Sequence, residues 1–143
     1  MTIELRHAET EAEIAACFPV MRELRPHLVS AEEFGTRVRR QRKDSYRLLA
    51  AWDDGKAVGI AGWRVQENLI RGRFCYVDDL VVAEGFRSGG LGARLLDAVA
   101  DEARGLGLSR LVLDTAIDNV LGQRFYFRYG MLPTGMRFGI ALD

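Results

Sequence analysis

A strand, a glycine-rich turn and a helix follow one another between Tyr76 and Ala103. The segment Tyr76–Val82 (YVDDLVV) is rich in β-branched and aromatic residues, which is typical of a strand. Downstream, apolar residues at helical spacing predict a helix: Leu91, Leu95, Leu96 and Val99. The turn between them reads Arg87-Ser88-Gly89-Gly90-Leu91-Gly92, and its glycines let the backbone bend sharply and approach a ligand.

This turn has the properties of an anion site. The first amides of a helix have no partner within it, and the helix dipole is positive at that end. Phosphate and pyrophosphate are common occupants of such positions. Arg87 adds a guanidinium that can fork onto phosphate oxygens. A plain tight connection between strand and helix is the alternative interpretation of the same residues.

Other phosphate and nucleophile motifs fit the turn less well. No Gly-Lys-Ser/Thr closes it, so it is not a P-loop. Gly90-x-Gly92 is part of a dinucleotide fingerprint, but Leu95 stands at the third glycine position; Asp114 could serve as a ribose-binding acid. Ser88 is preceded by Phe86 where a nucleophile elbow needs glycine. Nucleotide binding therefore stays open as an alternative.

Length and charge limit the classes of protein. A chain of 143 residues predicts one domain over residues 1–143. Lys plus Arg equal Asp plus Glu at 20 each, so neither nucleic acid nor an anionic membrane is an expected partner. Cys17 and Cys75 lack metal-site spacing, and no metal is predicted. The first residues lack a signal-peptide pattern and no run has the length of a membrane span, so the expected location is cytoplasmic.

The rest of the chain predicts the order β-α-α-β-β-β-α-β-α-β. Capping boxes open two helices at Thr10–Glu13 and Ser30–Glu33; Pro19 should kink or split the first, and Pro26 should end it. The other predicted segments are the strands Thr2–Arg6, Tyr46–Trp52, Ala57–Val65, Arg73–Val82, Arg110–Thr115 and Phe138–Leu142, the turn Asp53–Lys56, the loop Glu67–Gly72 and the helix Val120–Tyr129.

This order predicts an α/β fold. Hairpins come first, and a single βαβ crossover surrounds the glycine turn. The expectation is a mixed, mostly antiparallel sheet with helices on both faces. A doubly wound dinucleotide domain would need repeated βαβ units.

Two signatures make the chain resemble the GNAT superfamily of N-acetyltransferases. The first is Leu80-Val81-Val82, then four residues, then Arg87-Ser88-Gly89-Gly90-Leu91-Gly92. The second runs from Asn119-Val120-Leu121-Gly122 to Phe125-Tyr126-Phe127-Arg128-Tyr129-Gly130-Met131, with Met131 in place of the usual Phe. Their spacing and the order of elements also fit, so the resemblance covers essentially the whole chain.

The resemblance implies acetyl-CoA as acetyl donor, with CoA as product. The turn amides and Arg87 would hold the pyrophosphate, and the backbone of Leu80 and Val82 would pair with the pantetheine arm. An amide there would also stabilise the oxyanion formed at the thioester. Asn119 would bind the CoA arm or cap a helix. The full implied set is Leu80, Val81, Val82, Arg87, Ser88, Gly89, Gly90, Leu91, Gly92, Asn119 and Tyr126.

The expected catalytic residues are Asp78, Asp79 and Tyr126. An amine is protonated at neutral pH, so a group must accept its proton before it attacks. Asp78 is our first candidate and Asp79 the second, because only one of two successive strand residues faces a given cleft unless a bulge intervenes. The pair could instead attract a cationic substrate. The histone-type members carry a catalytic Glu near the position of Tyr76, and that base is absent here.

Tyr126 matches the family's general acid, which would protonate the leaving thiolate; a tyrosine pKa of about 10 keeps its proton available. The predicted activity is transfer of acetyl to a primary amine of a small molecule, by direct attack in a ternary complex. Its alternatives are a protein or peptide N-acetyltransferase and a non-catalytic acyl-CoA-binding or regulatory module. Acceptor contacts are expected from the first two helices and the loop Glu67–Gly72, around Arg22, Arg25 and His27. A homodimer is compatible with the resemblance.

Overall fold

In the computed structural model, which describes residues 2–143, the strands and helices follow the predicted order, except that the predicted last strand is not formed. A short 3₁₀ turn at Glu84–Phe86 precedes the glycine turn. The elements are β1 (Ile3–His7), α1 (Glu11–Leu24), α2 (Ala31–Arg42), β2 (Arg47–Asp53), β3 (Lys56–Asn68), β4 (Gly72–Val82), α3 (Leu91–Gly105), β5 (Leu111–Leu113) and α4 (Val120–Tyr129).

The chain divides into two compact units, an N-terminal unit that ends at Val112 and a C-terminal unit, Leu113–Asp143. The N-terminal unit contains β1–β4, α1–α3 and the start of β5, and the C-terminal unit contains α4. The glycine turn and the aspartate pair thus belong to the first unit, and Tyr126 belongs to the second. That the two form a single domain stays a prediction.

The sheet has the strand order β1-β2-β3-β4-β5. The first three neighbouring pairs are antiparallel, and the crossover β4–α3–β5 supplies the predicted βαβ unit. The Cys75 amide of β4 donates to the Arg110 carbonyl just before β5, at 2.9 Å. The predicted mixed, mostly antiparallel α/β fold is confirmed.

Helices cover both faces of this sheet. Ile60 belongs to a buried cluster with Ile14 and Cys17 of α1 and with Phe34 and Val38 of α2. The preceding residue, Gly59, faces the other way, and a Cβ there would lie 3.1 Å from Leu95 of α3. Successive side chains of a strand point to opposite faces, so α1 and α2 pack on one face and α3 on the other.

The beginnings of α1 and α2 follow from their caps. Thr10 accepts a hydrogen bond from the Glu13 amide, and the Glu13 carboxylate accepts one from the Thr10 amide, which completes the predicted capping box. Ser30 caps α2 through the Glu33 amide, but the Glu33 carboxylate accepts from the amide of Val29. The second box is therefore only half formed.

The predicted split of α1 at Pro19 does not occur. One helix runs from Glu11 to Leu24. Proline removes a single amide donor, whereas buried side chains on both sides of it, Cys17 and Val20, hold the helix against the sheet. The helix ends just before Pro26, where the Arg25 amide donates to the Met21 carbonyl at 2.8 Å.

Three other segments differ from the prediction, and the first is β5, which covers only Leu111–Leu113 of the predicted strand Arg110–Thr115. The loop Glu67–Gly72 is shorter, because β3 continues to Asn68, whose side chain accepts hydrogen bonds from the next amides, those of Ile70 and Arg71. Phe138–Leu142 forms no strand. Its alternating apolar side chains are exposed, and alternation predicts only which side chains share a face. A strand also needs a hydrogen-bonded neighbour.

Across residues 2–143, no helix is long and apolar enough to span a bilayer.

Candidate active site

A β-bulge lies at the aspartate pair in β4. Asp79 is opposite Gly62 of β3, whereas Val77 is opposite Trp63, so Asp78 is an extra residue without a partner position. A bulge of this kind breaks the alternation of side chains along the strand. The bulge, which the strand alternation alone does not predict, accompanies two different environments: the Asp79 carboxylate meets Arg25 and Tyr46, and the Asp78 carboxylate meets Arg64 of β3.

The Asp79 carboxylate is held by two donors. Arg25 approaches its Oδ1 with Nε at 3.0 Å and Nη2 at 2.9 Å, and the Tyr46 hydroxyl donates to its Oδ2 at 2.8 Å. The same Arg25 donates to the backbone carbonyl of Asp78 at 2.9 Å. Because Arg25 is the C-cap residue of α1, this helix end is fastened to the bulge.

The Asp78 carboxylate has a different environment. Arg64 of β3 donates to its Oδ2 at 2.8 Å and also to the side chain of Gln41 on α2. Burial raises the pKa of Asp78, although the Arg64 guanidinium acts in the opposite direction. Each aspartate is thus paired with an arginine, and this weakens the idea that the two acids simply attract a cationic substrate.

Tyr46 is the buried donor of this cluster. Burial, and then the negative charge of Asp79, raise the pKa of Tyr46 well above its ordinary value. The hydroxyl therefore keeps its proton and orients the Asp79 carboxylate. Gly62 leaves the space in which Tyr46 and Asp79 form their hydrogen bond. A Cβ at position 62 would overlap the Tyr46 hydroxyl and approach Asp79 Oδ2 to 2.9 Å.

We expect Gly62→Ala to destabilise the protein by about 1–3 kcal/mol, because the added methyl must displace a buried tyrosine. Urea unfolding followed by circular dichroism gives this free energy. Gly85→Ala is the matched control, since a Cβ at Gly85 would have no atom of residues 2–143 within 4 Å. Equal stability of the two variants would contradict this account of Gly62.

A cleft opens beside the aspartate cluster, between α1, α2 and β4. Its volume is about 330 Å³, which suits a small molecule. We call it the acceptor-side cleft, lined by Met21, Arg25, His27, Leu28, Phe34, Arg37, Val38, Gln41, Tyr46 and Asp79. Of the expected acceptor contacts, Arg25 and His27 line it, whereas Arg22 lies over the ring of Phe18 at 5.9 Å.

The glycine turn leads into α3 in an open conformation. Gly90 is the N-cap of α3, with a φ of 77° and without a side-chain cap. A Cβ at Gly90 would have no atom of residues 2–143 within 4 Å, and Ser88, Gly89 and Gly90 are exposed. An exposed helix start with a left-handed glycine fits a phosphate group.

Arg87 stands at the entrance of this turn but is already engaged. Its Nε donates to the Val82 carbonyl at 2.9 Å, and its Nη2 pairs with Glu23 of α1 at 2.8 Å. The pair is largely exposed, so the guanidinium can exchange Glu23 for a phosphate at little cost.

At the end of β4, backbone N–H and C=O groups point in the direction that pairing with an added strand requires. The Ala83 amide donates to the Val58 carbonyl at 2.8 Å, so the backbone groups of Ala83 and Val81 point toward β3. Alternation along an antiparallel ladder then directs those of Leu80 and Val82 away from β3. The Val81 side chain is buried in the core and fixes this segment.

Asn119 and Tyr126 belong to the C-terminal unit. Asn119 caps α4: its Oδ1 accepts from the Gly122 amide at 3.1 Å, and its Nδ2 donates to Thr115 at 2.9 Å. Gly122 is required for this cap, because a Cβ there would overlap the Asn119 side chain. Tyr126 is half-buried, and its ring meets Phe125 edge to face at 5.4 Å.

Four residues around the aspartates and the cleft are not indicated by the sequence: Tyr46, Arg64, Gln41 and Arg37. The sequence predicts Tyr46 only as the start of a strand. No motif marks these residues. A signal existed in the small-residue run of β3, where Gly62 stands opposite Asp79 and leaves room for the side chain of Tyr46, the residue just before β2.

The chain matches known proteins along most of its length. The sequence profile of the Acetyltransferase (GNAT) family matches residues 8–131. The uncharacterized N-acetyltransferase YhdJ of Bacillus subtilis (strain 168) is 30% identical over 125 residues, which are 87% of each chain.

Solved structures share the fold. The aminoglycoside N-acetyltransferase AAC(6')-Iy in complex with CoA has a TM-score of 0.85 at 18% identity, with 99% of this chain and 95% of that chain covered. A ribosomal-protein-alanine N-acetyltransferase from Brucella melitensis biovar Abortus 2308 has a TM-score of 0.83 at 19% identity, with 99% and 100% covered.

The fold and the profile match together define an acyl-group transferase. The chain belongs to the GNAT acetyltransferase family, and it is an acetyltransferase.

Proposed function

We propose that the protein transfers the acetyl group of acetyl-CoA to a primary amine of a small molecule, by direct attack in a ternary complex. The observation that carries the proposal is the bulge in β4, which holds two adjacent carboxylates, one of which, Asp79, lines a cleft of about 330 Å³. A cleft of this size suits a small amine better than a protein surface.

Acetyl-CoA supplies the thioester from which the acetyl group is taken. The amides of the glycine turn and Arg87 bind its pyrophosphate, and the outward backbone of Leu80 and Val82 pairs with its extended arm. The turn residues assigned to this role are Arg87, Ser88, Gly89, Gly90, Leu91 and Gly92, and Val81 keeps the strand in place. We keep Asn119 as the α4 cap, because both ends of its amide are engaged locally.

Asp78 accepts the proton that the amine must lose. The amine nitrogen then forms a bond to the acetyl carbon as the carbon–sulfur bond breaks, and Tyr126 gives its proton to the departing thiolate. The second proton, which the nitrogen loses after the attack, restores the Tyr126 hydroxyl through solvent. Asp78 suits the role of base because burial raises its pKa toward neutrality. Asp79 receives two strong donors, so its role in the proposal is to position the amine and Arg25.

We expect Asp78→Asn to lower kcat/KM by about 100-fold near neutral pH, because the proton acceptor is lost. In the wild type, activity should fall as the pH drops through the raised pKa of Asp78, since protonation disables the base. The variant should lack this fall. Asp79→Asn is the comparison, and it should keep the acidic limb while KM rises. A pH–rate profile of all three proteins measures this, and an unchanged profile in Asp78→Asn would remove Asp78 as base.

The proposal is tested by ligand stabilisation and turnover together. Acetyl-CoA and CoA should raise the melting temperature, whereas NAD and ATP at equal concentration should not. Release of CoA thiol is then followed with a panel of small amines and with a lysine-containing peptide. Turnover on small amines supports the proposal. Turnover on the peptide alone would favour a protein substrate, and CoA binding without turnover would favour a non-catalytic module.

A further inference from the structure

The acceptor-side cleft carries more positive than negative groups. Its ionisable lining consists of Arg25, His27, Arg37, Tyr46 and Asp79, and the Tyr46 hydroxyl keeps its proton because its pKa is raised. Arg25 and Asp79 neutralise each other at 2.9 Å. This leaves Arg37 as an unbalanced permanent charge among the lining groups, with His27 exposed beside it.

Arg37 is available to a ligand. Its partner outside the cleft lining is Glu33, one turn earlier on α2, at 3.6 Å, and both side chains are partly exposed at 47% and 36%. An exposed pair at this spacing contributes little to stability, so it exchanges readily for another anion. The planar guanidinium fork matches a carboxylate or a phosphate with two parallel hydrogen bonds.

The position of Arg37 sets a distance from the acids. Gln41 is on the same face of α2 and contacts Arg64, which holds Asp78. Arg37 precedes Gln41 by one helical turn, which is about 6 Å along the axis. The backbone of Arg37 is therefore about one helical turn away from the residue that contacts the Arg64–Asp78 pair.

Four of the residues that line the cleft are apolar. Met21, Leu28, Phe34 and Val38 are each no more than 5% exposed. Because they present so little surface, a ligand in the cleft meets mainly the polar lining groups.

We propose that the acceptor is a small primary amine that also carries a carboxylate or a phosphate, with a spacer between them. Arg37 binds the anionic group, and the amine faces the aspartate end. This inference rests on the proposed function, because it names the acceptor class of the same site.

The first test measures binding without turnover. Hexanoate has the carboxylate and the spacer but no amine, and its affinity is measured by calorimetry. Arg37→Gln should weaken hexanoate binding by at least about tenfold, as loss of a charged hydrogen-bonding partner does. Arg40→Gln, an exposed position on the same helix outside the cleft lining, should leave it unchanged. Equal affinity in wild type and Arg37→Gln would overturn the proposal.

The second test compares amines that differ only in the anionic group. The pairs are 6-aminohexanoate with hexylamine, L-phenylalanine with phenethylamine, and 2-aminoethyl phosphate with ethanolamine. In at least one pair, we expect kcat/KM to be about tenfold higher or more for the anionic amine than for the amine without the anionic group. In Arg37→Gln, the two amines of that pair should have equal kcat/KM. The last pair separates phosphate from carboxylate. Equal or inverted ratios in all pairs would overturn the inference but keep the acetyltransferase activity. Absence of turnover with every amine counts against the proposed function, and hexanoate binding then still decides the inference.

Discussion

Gly90→Asp should lose at least about 100-fold in affinity for CoA, because a carboxylate at the start of α3 opposes the pyrophosphate expected there. The position is exposed and a Cβ meets no atom of residues 2–143 within 4 Å, so the effect of the substitution is electrostatic rather than steric. Calorimetric titration with CoA measures it directly.

The matched control for this charge is Gly90→Asn. Gly90 has a φ of 77°, and Asn and Asp tolerate this left-handed region about equally and have nearly the same size. Backbone strain is therefore common to both variants, and only Asp adds a negative charge. We expect Asn to stay within about tenfold of the wild type. Equal weakening by Asn and Asp would mean that strain, not charge, is responsible, and unchanged binding in Asp would contradict the anion site.

Tyr126→Phe should lower kcat by about 100-fold while CoA still binds, because the thiolate then leaves without a proton donor. The hydroxyl is the only group removed, and the ring keeps its edge-to-face contact with Phe125. Initial rates of thiol release at saturating substrate concentrations give kcat, and calorimetric titration with CoA gives the affinity.

Tyr129→Phe is the control for this substitution. It removes the same group from the same helix, three residues later, where the ring also packs against Phe125. Normal turnover in Tyr129→Phe together with a loss in Tyr126→Phe would single out the catalytic hydroxyl. Equal turnover in all three proteins would remove Tyr126 from the mechanism.

Local chemistry explains why most of the fold could be predicted. The Thr10 capping box, the turn at Asp54 and Gly55 with both φ angles positive, and the glycine ends of helices depend on neighbours in sequence. The helix α4 was predicted over the residues that the structure assigns to it, since Asn119 caps it and Gly130 ends it with a φ of 106°. The prediction of a strand at Phe138–Leu142 is wrong because strand formation depends on a partner that is distant in sequence.

The site was predictable only in part, for a related reason. The aspartates could be singled out because they adjoin the first signature, but their partners Arg25, Tyr46 and Arg64 come from three other elements. The bulge at Asp78 arises from the pairing of β3 with β4, and it accompanies the different environments of the two acids. Pairing register over such distances leaves no local pattern.

The last turn of α1 and its C-cap residue serve both halves of the proposed site. Glu23 pairs with Arg87 at the glycine turn, and Arg25 pairs with Asp79 at the cleft. If acetyl-CoA binds Arg87 in place of Glu23, the Glu23 carboxylate loses its ion-pair partner. Glu23 is only two residues before Arg25, so the electrostatic environment of Arg25 changes. We therefore expect the affinities for donor and acceptor to be thermodynamically linked, so that each substrate alters the dissociation constant of the other by the same factor. One helix end would in this way couple the donor site to the acceptor site.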